Sequence, residues 1–205
     1  MKQKIVEGAE KLFMQYGVRS VSMDDVAREV SMSKKTLYQH FSNKDALVSE
    51  VGRHHMEKEK IELSNATSQA QNAIEELHLL SRCMRENIFK MNPSLLYDLQ
   101  KYHREAWDIF KEFKQSFVKG HIVKNLTQGI EEGCYRKEID PEVLAIVRLE
   151  TIQLIFNQEV FPSNTFNFSD VQLQVFDHFV HGILTEKGKK LYQQYQQLES
   201  KPTIK

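Results

Sequence analysis

The 205-residue chain contains little cysteine, proline or glycine: two, four and eight residues respectively. Cys83 and Cys134 are too few for a disulfide scaffold and too far apart for a CxxC pair, which fits a reducing compartment. We interpret both as small buried hydrophobic residues, with redox sensing as the alternative. The scarcity of proline and glycine leaves long stretches without helix breakers, and apolar residues recur at intervals of three and four. Both features predict an all-helical protein.

The chain also lacks a long apolar run. No run approaches the roughly 18 residues needed to span a bilayer. The first residues, MKQKIVEGAEKLF, alternate charged with apolar side chains and do not form the apolar block of a signal peptide. Since 40% of the residues are hydrophobic, a sizeable core is available. We therefore expect a globular, cytoplasmic protein that does not bind a membrane.

An excess of charge of either sign is missing as well, because 28 basic residues balance 28 acidic ones. The molecule as a whole is therefore not a polyanion binder, and any contact with nucleic acid must come from a local patch. One acid-free stretch lies between Glu29 and Asp45 and contains Lys34, Lys35, His40 and Lys44. On its own, so small a cluster is more typical of an ordinary solvated surface.

The first fifty residues predict three short helices and the start of a fourth. An apolar stripe from Ile5 to Tyr16 predicts a first helix that ends at Gly17. Two S-x-x-D capping boxes, Ser22 with Asp25 and Ser42 with Asp45, predict the starts of helices two and four. Helix two ends at Ser31-Met32, and Ser33 caps helix three, which runs from Lys34 to Phe41. Helix four then meets no breaker until about Ser64.

Longer helices follow. Helical spacing extends from Ala70 to Ile88, from Leu95 to Tyr102 and from Trp107 to Ile130, and Gly133 closes the last of these segments. Asp140-Pro141 restarts the chain as an N-cap followed by a first-turn proline. A final strong helix is predicted to begin with Ser169 as its N-cap and Gln172 completing the capping box. We expect residues 187–205 to extend that helix and then fray.

Three short helices with a tight turn between the second and third are typical of a helix-turn-helix. Residues 22–47, SMDDVAREVSMSKKTLYQHFSNKDAL, closely resemble the signature of the TetR family, including its Ser-Lys-x-Thr-Leu-Tyr-x-His-Phe core. Two departures stand out: Ser31 where the family has glycine, and Lys35 where it has a small residue. If Ser31 has a positive φ, the serine costs about 1 kcal/mol.

The resemblance implies a bacterial transcriptional regulator, with repression as its expected mode, that binds DNA through the third helix. Leu37 and Phe41 are expected in the core. Lys44 matches the phosphate clamp of the family, whereas Lys35 either reads a guanine or contacts phosphate. The start of the third helix, with the Thr36 hydroxyl, suits a phosphate. The predicted DNA-binding residues are Ser22, Ser33, Lys34, Lys35, Thr36, Tyr38, His40 and Lys44.

The resemblance also implies a homodimer with two domains, a DNA-binding domain at 1–46 and a ligand-binding and dimerisation domain at 47–205. Two third helices would then enter successive major grooves roughly 34 Å apart and read a near-palindromic operator. The dimer contact is expected in the stretches 142–158 and 170–186. The predicted interface residues are Ile152, Phe156, Phe176, Phe179, Val180 and Ile183.

TetR-type proteins generally hold a small-molecule effector among the helices that follow the DNA-binding domain. Its binding would shift helix four and move the two third helices out of register. The residues predicted to line such a pocket are Met84, Tyr97, Tyr102, His103, Trp107, Phe110, Phe113 and Phe117. Aromatic residues at helical spacing are also typical of an ordinary core, and the sequence does not distinguish the two.

Two other functions are alternatives to a ligand-controlled regulator. A metal-dependent enzyme would need ligands, and His178 with His181, or His54 with His55, are the nearest candidates. No third ligand at metal-binding spacing, G-x-S-x-G motif or glycine-rich phosphate loop accompanies them, so we expect no enzyme, cofactor or metal. The second alternative is a DNA-binding regulator without a small-molecule effector, controlled by a protein partner. Nothing in the sequence excludes it.

Overall fold

The structure is a computed structural model that describes residues 1–88, 92 and 94–199, and for residues 83–88, 198 and 199 it describes the backbone alone. This part of the chain is all-helical, as predicted, and its β-structure is one isolated bridge between Tyr135 and Leu184. The helices are α1 (Lys2–Tyr16), α2 (Met23–Glu29), α3 (Lys34–His40), α4 (Lys44–Thr67), α5 (Ala73–Ile88), α6 (Leu95–Tyr102), α7 (Arg104–Glu112), α8 (Lys119–Glu131), α9 (Pro141–Ile155), α10 (Phe168–Ile183) and α11 (Glu186–Glu199). A π-helical segment, Phe113–Val118, links α7 to α8. Within these residues, no helix is long and apolar enough to cross a membrane.

The chain forms two compact units, and each has its own hydrophobic core. The first contains Met1–Ile61 and Phe89–Gln115, and the second contains Glu62–Ile88 and Ser116–Lys205. Ile5, Phe13 and Leu37 lie in the first core, and Ile74 and Val180 lie in the second. The functional division at residue 46 falls near the start of α4 and stays a prediction.

Several predicted helix ends are confirmed. Gly17 ends α1 with φ +79°, and its backbone N–H donates to the carbonyl of Phe13. Ser22 and Asp25 form the reciprocal capping box at the start of α2. Asp140 accepts hydrogen bonds from two backbone N–H groups at the start of α9, where Pro141 occupies the first turn. These local signals therefore act as their chemistry predicts.

Two predicted N-caps are wrong, because an asparagine takes the role in each case. At α4, the side-chain oxygen of Asn43 accepts from the backbone N–H of Ala46 at 2.9 Å, and Ser42 lies one residue earlier. At α10, Asn167 accepts from the N–H of Ser169 at 2.9 Å and from that of Asp170. Asparagine and serine are about equally good N-caps. The choice between neighbouring candidates is therefore decided by where the preceding chain enters the helix.

The predicted extension of the last strong helix is also wrong. Leu184 leaves the helix in an extended conformation, and the next residues form the separate helix α11. The chain is held there by two backbone hydrogen bonds, from Arg136 N–H to the Ile183 carbonyl and from Thr185 N–H to the Cys134 carbonyl. Cys134 is buried, as expected, whereas the side chain of Cys83 is outside the described residues.

Candidate nucleic-acid interface

A short turn, residues 30–33, joins α2 to α3 in the first unit. Ser31 adopts φ +55°, in the left-handed region. Two backbone hydrogen bonds close the turn: Ser31 N–H donates to the Arg28 carbonyl at 3.1 Å, and Met32 N–H donates to the Ala27 carbonyl at 2.9 Å. Because this φ is positive, serine at position 31 is strained and costs about 1 kcal/mol relative to glycine. The closed turn fixes the direction in which α3 leaves α2.

The inner side of α3 is fully packed. Leu37 is 0% exposed and Phe41 at the end of the helix is 4% exposed. Both belong to the same core as Val26 of α2 and Ile5 of α1. This confirms that Leu37 and Phe41 serve the core although they lie within the family signature. Since one side of α3 is sealed, the opposite side faces solvent.

The outward side of α3 carries cationic and aromatic side chains. Lys35, Tyr38 and His40 are exposed, and Lys35 has no hydrogen bond or ion pair with any residue that the structure describes. Lys34 differs, because its Nζ lies 2.8 Å from an oxygen of Asp24. The hydrogen bond with Asp24 raises the pKa of Lys34 above its ordinary value. Lys34 would therefore have to exchange Asp24 for a phosphate, whereas Lys35 is available without a loss.

The hydroxyl groups predicted to contact DNA take part in helix caps. Ser22 Oγ accepts from the backbone N–H of Asp25 and donates to the Asp25 carboxylate at 2.6 Å. Ser33 Oγ accepts from the N–H of Thr36 at 3.0 Å, and the two hydroxyl oxygens lie 2.8 Å apart. The proton of Ser22 is thus committed to Asp25. Of the Ser33 and Thr36 hydroxyl groups, one donates its proton to the other. Only one hydroxyl proton of this pair is therefore left to donate to a phosphate.

Lys44, at the start of α4, lies in a different environment from Lys35. It is half-buried, and this burial lowers the pKa of Lys44 below its ordinary value. The nearby carboxylates of Asp98, Asp45 and Asp25 act in the opposite direction. Lys44 is thus a positioned cation among acids, which suits a fixed phosphate contact more than the reading of a base.

Sequence reasoning missed Gln39. Its side chain is exposed and follows Lys35 by four residues, so the two lie on the same side of α3. A glutamine amide can pair with the N6 and N7 atoms of an adenine. The four-residue spacing from Lys35 was the signal that would have identified it.

The residues predicted to line a ligand pocket are divided between the two units. In the first unit, Tyr97 and Tyr102 are 47% and 45% exposed, and the Nζ atom of Lys101 lies 5.2 and 5.5 Å from their ring centroids. His103 Nδ1 donates to the Asp45 carboxylate at 2.6 Å. The placements of Tyr97 and Tyr102 at the surface do not support a role in an enclosed pocket.

The other predicted pocket residues have mixed positions. In the first unit, the rings of Trp107 and Phe110 stack at 5.3 Å, and Phe113 is half-buried at the start of the π-helical segment. In the second unit, Phe117 contacts the ring of His121 at 4.4 Å. The side chain of Met84 is outside the described residues. A pocket at these positions stays a prediction.

Most of the predicted interface residues lie in the core of their own protomer. Phe176, Val180 and Ile183 are 7%, 0% and 1% exposed and belong to the second core. Phe156 packs on the ring of Phe168 at 4.6 Å, and Ile152 and Phe179 are half-buried. A side chain already enclosed in its protomer cannot also cover a partner. The periodicity therefore selected the inner sides of α9 and α10, and an interface on these helices stays a prediction.

The outer sides of α9 and α10 carry the apolar residues that solvent does reach. Val143, Ile146, Val147 and Leu154 of α9 are 54%, 49%, 50% and 45% exposed, and Leu173 of α10 is 37% exposed. Their spacing of three, four and seven places the α9 residues along one side of the helix. We call these five residues the apolar stripe.

The histidines weighed as metal ligands are not gathered into a site. Throughout the described residues, no group of three or more His, Cys, Asp or Glu side chains is placed to hold a metal ion. His181 lies 3.4 Å from Asp177, and His55 contacts Glu10 at 2.6 Å. The first pair lies within α10, and the second joins α4 to α1.

Comparison with known proteins agrees with the helix-turn-helix geometry. Residues 5–51 match the family model described as bacterial regulatory proteins, tetR family. The chain is 25% identical to the HTH-type transcriptional regulator YvaF of Bacillus subtilis, over 91% of this chain and 97% of that protein. It is 24% identical to the HTH-type transcriptional repressor KstR2 of Mycobacterium tuberculosis, over 69% of this chain and 72% of that protein. These relatives are named as transcriptional regulators and not as enzymes.

Solved structures share the fold along most of the chain. A transcriptional regulator of Saccharomonospora viridis in complex with choline aligns with a TM-score of 0.75 at 17% identity, over 90% of this chain and 98% of that chain. A TetR transcriptional regulator of Chloroflexus aurantiacus aligns with a TM-score of 0.70 at 16% identity, over 90% and 96%. The turn and α3, the family match over residues 5–51 and the transcriptional regulators that align along most of the chain support one conclusion: the chain is a TetR-family transcriptional regulator.

Proposed function

We propose that the protein represses transcription by binding a near-palindromic operator as a homodimer, and that a small-molecule effector releases it. The outward side of α3 carries this proposal. Lys35, Tyr38, Gln39 and His40 stand in solvent on a helix whose other side is sealed in the core. Cations, an amide and a phenol are the groups that read base edges and contact phosphates.

The apolar stripe supports the homodimer. Soluble monomers seldom expose a contiguous group of large aliphatic side chains along two adjacent helices, whereas homodimer contacts are rich in them. A single helix-turn-helix also makes too few contacts for tight binding, so two copies are needed. A twofold dimer would supply two third helices for two half-sites.

Release by an effector is supported by the fold that the chain shares with a transcriptional regulator solved in complex with choline. The alternative, control by a protein partner, differs in one observable respect. A small molecule that binds the folded protein raises its melting temperature in the absence of any partner. A thermal-shift screen of small metabolites therefore separates the two modes of control.

Selection from a random duplex library tests the DNA-binding part. We expect the enriched sequences to contain two inverted half-sites whose centres lie roughly 34 Å apart, about 10 base pairs. A triple variant of α3, Lys35→Ala with Tyr38→Ala and Gln39→Ala, should fold and lose the enrichment, since all three side chains are exposed. Absence of enrichment with the wild-type protein, or one unrepeated half-site, would contradict the proposal.

A further inference from the structure

A cavity of about 430 Å³ lies between α9 and α10, within the second unit. Its walls are largely aliphatic and aromatic, with Leu144, Val147, Val175 and Phe179 among them. The volume falls in the range of sites that hold small molecules, roughly 300–1,000 Å³. None of the residues predicted from sequence to line an effector pocket borders this cavity, whereas two residues predicted for the dimer interface, Phe179 and Ile183, do.

Arg148 of α9 lines the cavity and is 4% exposed. Its guanidinium carbon lies 5.1 Å from the ring centroid of Phe176 and 5.4 Å from that of Phe179. Both terminal nitrogens, Nη1 and Nη2, are shielded from solvent and have no hydrogen-bond partner among the residues that the structure describes. The rings attract the positive charge, but they leave the N–H groups of the guanidinium unsatisfied.

The charge of Arg148 persists at neutral pH. Burial lowers the pKa of Arg148 to about 10, still far above neutrality. Removing a guanidinium from water without a counter-charge costs several kcal/mol. Such a cost is normally offset by a carboxylate or phosphate that accepts hydrogen bonds from both terminal nitrogens.

The walls of the cavity supply no such counter-charge. The polar residues around it are Arg136, Arg148, Thr151, Gln174 and His178, and none of its lining residues is Asp or Glu. The anion must therefore come from outside the cavity. Inorganic anions would satisfy the guanidinium and leave the apolar walls unfilled. The site calls for a molecule with one anionic end and an apolar body.

We propose that this cavity binds a small organic carboxylic acid, whose apolar body fills the space beside Leu144, Val147 and Phe179. On binding, the guanidinium of Arg148 turns from the ring of Phe176 towards the cavity, and its two terminal nitrogens donate a bidentate pair of hydrogen bonds to the carboxylate. Binding at the site is independent of DNA. Only the effect of the acid on DNA binding rests on the proposed function, and the two are measured separately.

The full-length protein, free of DNA, is titrated by calorimetry with hexanoate, octanoate, decanoate, benzoate and phenylacetate. Acetate lacks the apolar body and 1-octanol lacks the charge, so both serve as controls. We expect at least one of the five acids to bind tenfold or more tightly than either control. Failure of all five at millimolar concentration would overturn the proposal.

Arg148→Met tests the anchor, and Arg136→Met is its matched control, since Arg136 also borders the cavity but is exposed and lies 3.6 Å from Glu138. We expect Arg148→Met to lower the affinity for the acid at least thirtyfold. Arg148→Lys should have an intermediate affinity, and the affinity of Arg136→Met should stay within threefold of wild type. Without ligand, Arg148→Met should melt at the same temperature as the wild type or higher, because it removes an unpaired buried charge. Strong destabilisation of the ligand-free variant would reveal an internal partner and overturn the proposal.

The same carboxylate chemistry could be supplied by an acidic side chain of a second copy, because Val147 belongs to both the cavity and the apolar stripe. Sedimentation separates the two sources. A tenfold or larger loss of dimer affinity in Arg148→Met, together with no binding of any acid, would assign the anion to the partner and overturn the proposal. Unchanged dimer affinity together with loss of acid binding would support it. An acid that binds and leaves DNA affinity unchanged would refute its role as effector and leave the site intact.

Discussion

The outward side of α3 and the outer side of α9 and α10 distribute charge in opposite ways. Around α3, Leu37 and Phe41 are buried, and Lys35 stands in solvent without a partner among the residues that the structure describes. Around α9, Ile146 and Leu154 stand in water while the guanidinium of Arg148 is buried. The outward side of α3 thus presents cations over a packed core, which suits a polyanion. The outer side of α9 and α10 exposes aliphatic side chains and buries a charge, the reverse of the usual arrangement, and exposed apolar patches are typical of binding surfaces.

The largest expected effect comes from placing a charge in the apolar stripe. Ile146→Asp should weaken dimerisation at least a hundredfold, about 2.7 kcal/mol, because the carboxylate would be buried against apolar groups of the partner. Sedimentation equilibrium measures the effect. Thr127→Asp, which adds the same single negative charge at an exposed position of α8, should leave the dimer intact. A wild-type protein that is monomeric at micromolar concentration would refute the stripe as an interface.

In the helix-turn-helix, substitutions of Lys35 and Lys44 should have different effects on DNA binding. Lys35→Ala should reduce the discrimination between operator and altered sequences by about 1–3 kcal/mol if the exposed cation reads a base. Lys44→Ala should weaken binding to every sequence alike and lower the salt slope by about one unit per subunit, because it removes a phosphate contact. Titrations of operator and random DNA at several salt concentrations measure both. Equal losses on the two DNAs for Lys35→Ala would assign Lys35 to phosphate.

A smaller effect is expected at Glu10, which links α1 to α4 within the first unit. The hydrogen bond from His55, at 2.6 Å, is the main cause that lowers the pKa of Glu10 below its ordinary value of 4.5. Since the folded value is the lower one, the contribution of Glu10 is complete above the ordinary pKa and disappears as the pH falls through the lowered value. Glu10→Gln should therefore cost about 1–2 kcal/mol at pH 7 and much less near pH 3.

Urea denaturation of the wild type and of Glu10→Gln at both pH values measures this difference. Glu7→Gln is the matched control, because Glu7 is an exposed carboxylate on the same helix, and it should change stability by a few tenths of a kcal/mol. A penalty for Glu10→Gln that is equal at the two pH values would show that its charge is not the cause.

The smallest effect is a gain. Ser31→Gly should stabilise the protein by about 0.5–1 kcal/mol, because glycine adopts the positive φ at this turn without a Cβ clash, although part of the gain is lost to the greater freedom of the unfolded chain. Thermal unfolding measures the gain. Ser68→Gly, near the end of α4, should show no such gain. A loss of stability in Ser31→Gly would mean that the turn carries no strain.

The helices of the first fifty residues are more predictable from sequence than those of the second unit, for physical reasons. Capping boxes and glycine ends depend on residues within four positions, so Ser22, Ser33 and Gly17 could be assigned correctly. The caps at Asn43 and Asn167 required knowledge of how the chain enters each helix. Hydrophobic spacing located α9 and α10 but not which side faces the core, since both sides of α9 are apolar. The placement of Val180 inside and Ile146 outside follows from packing between distant helices.

The burial of Arg148 could not be predicted from the sequence either. An arginine in an amphipathic helix is ordinarily solvent-exposed, and nothing in its neighbours along the chain indicates burial. Its position beside Phe176 and Phe179 depends on the contact of α9 with α10, which only the three-dimensional structure provides. The same holds for the pairing of Lys34 with Asp24 and for the half-burial of Lys44.

The central claim is that two copies of α3 read one DNA site, and the most direct test is the affinity of the purified protein for its selected operator and for a scrambled duplex of equal length. At physiological salt we predict a ratio of at least about a thousand in favour of the operator and two chains per duplex. Equal affinity for the two duplexes, or one chain bound per operator, would contradict the account.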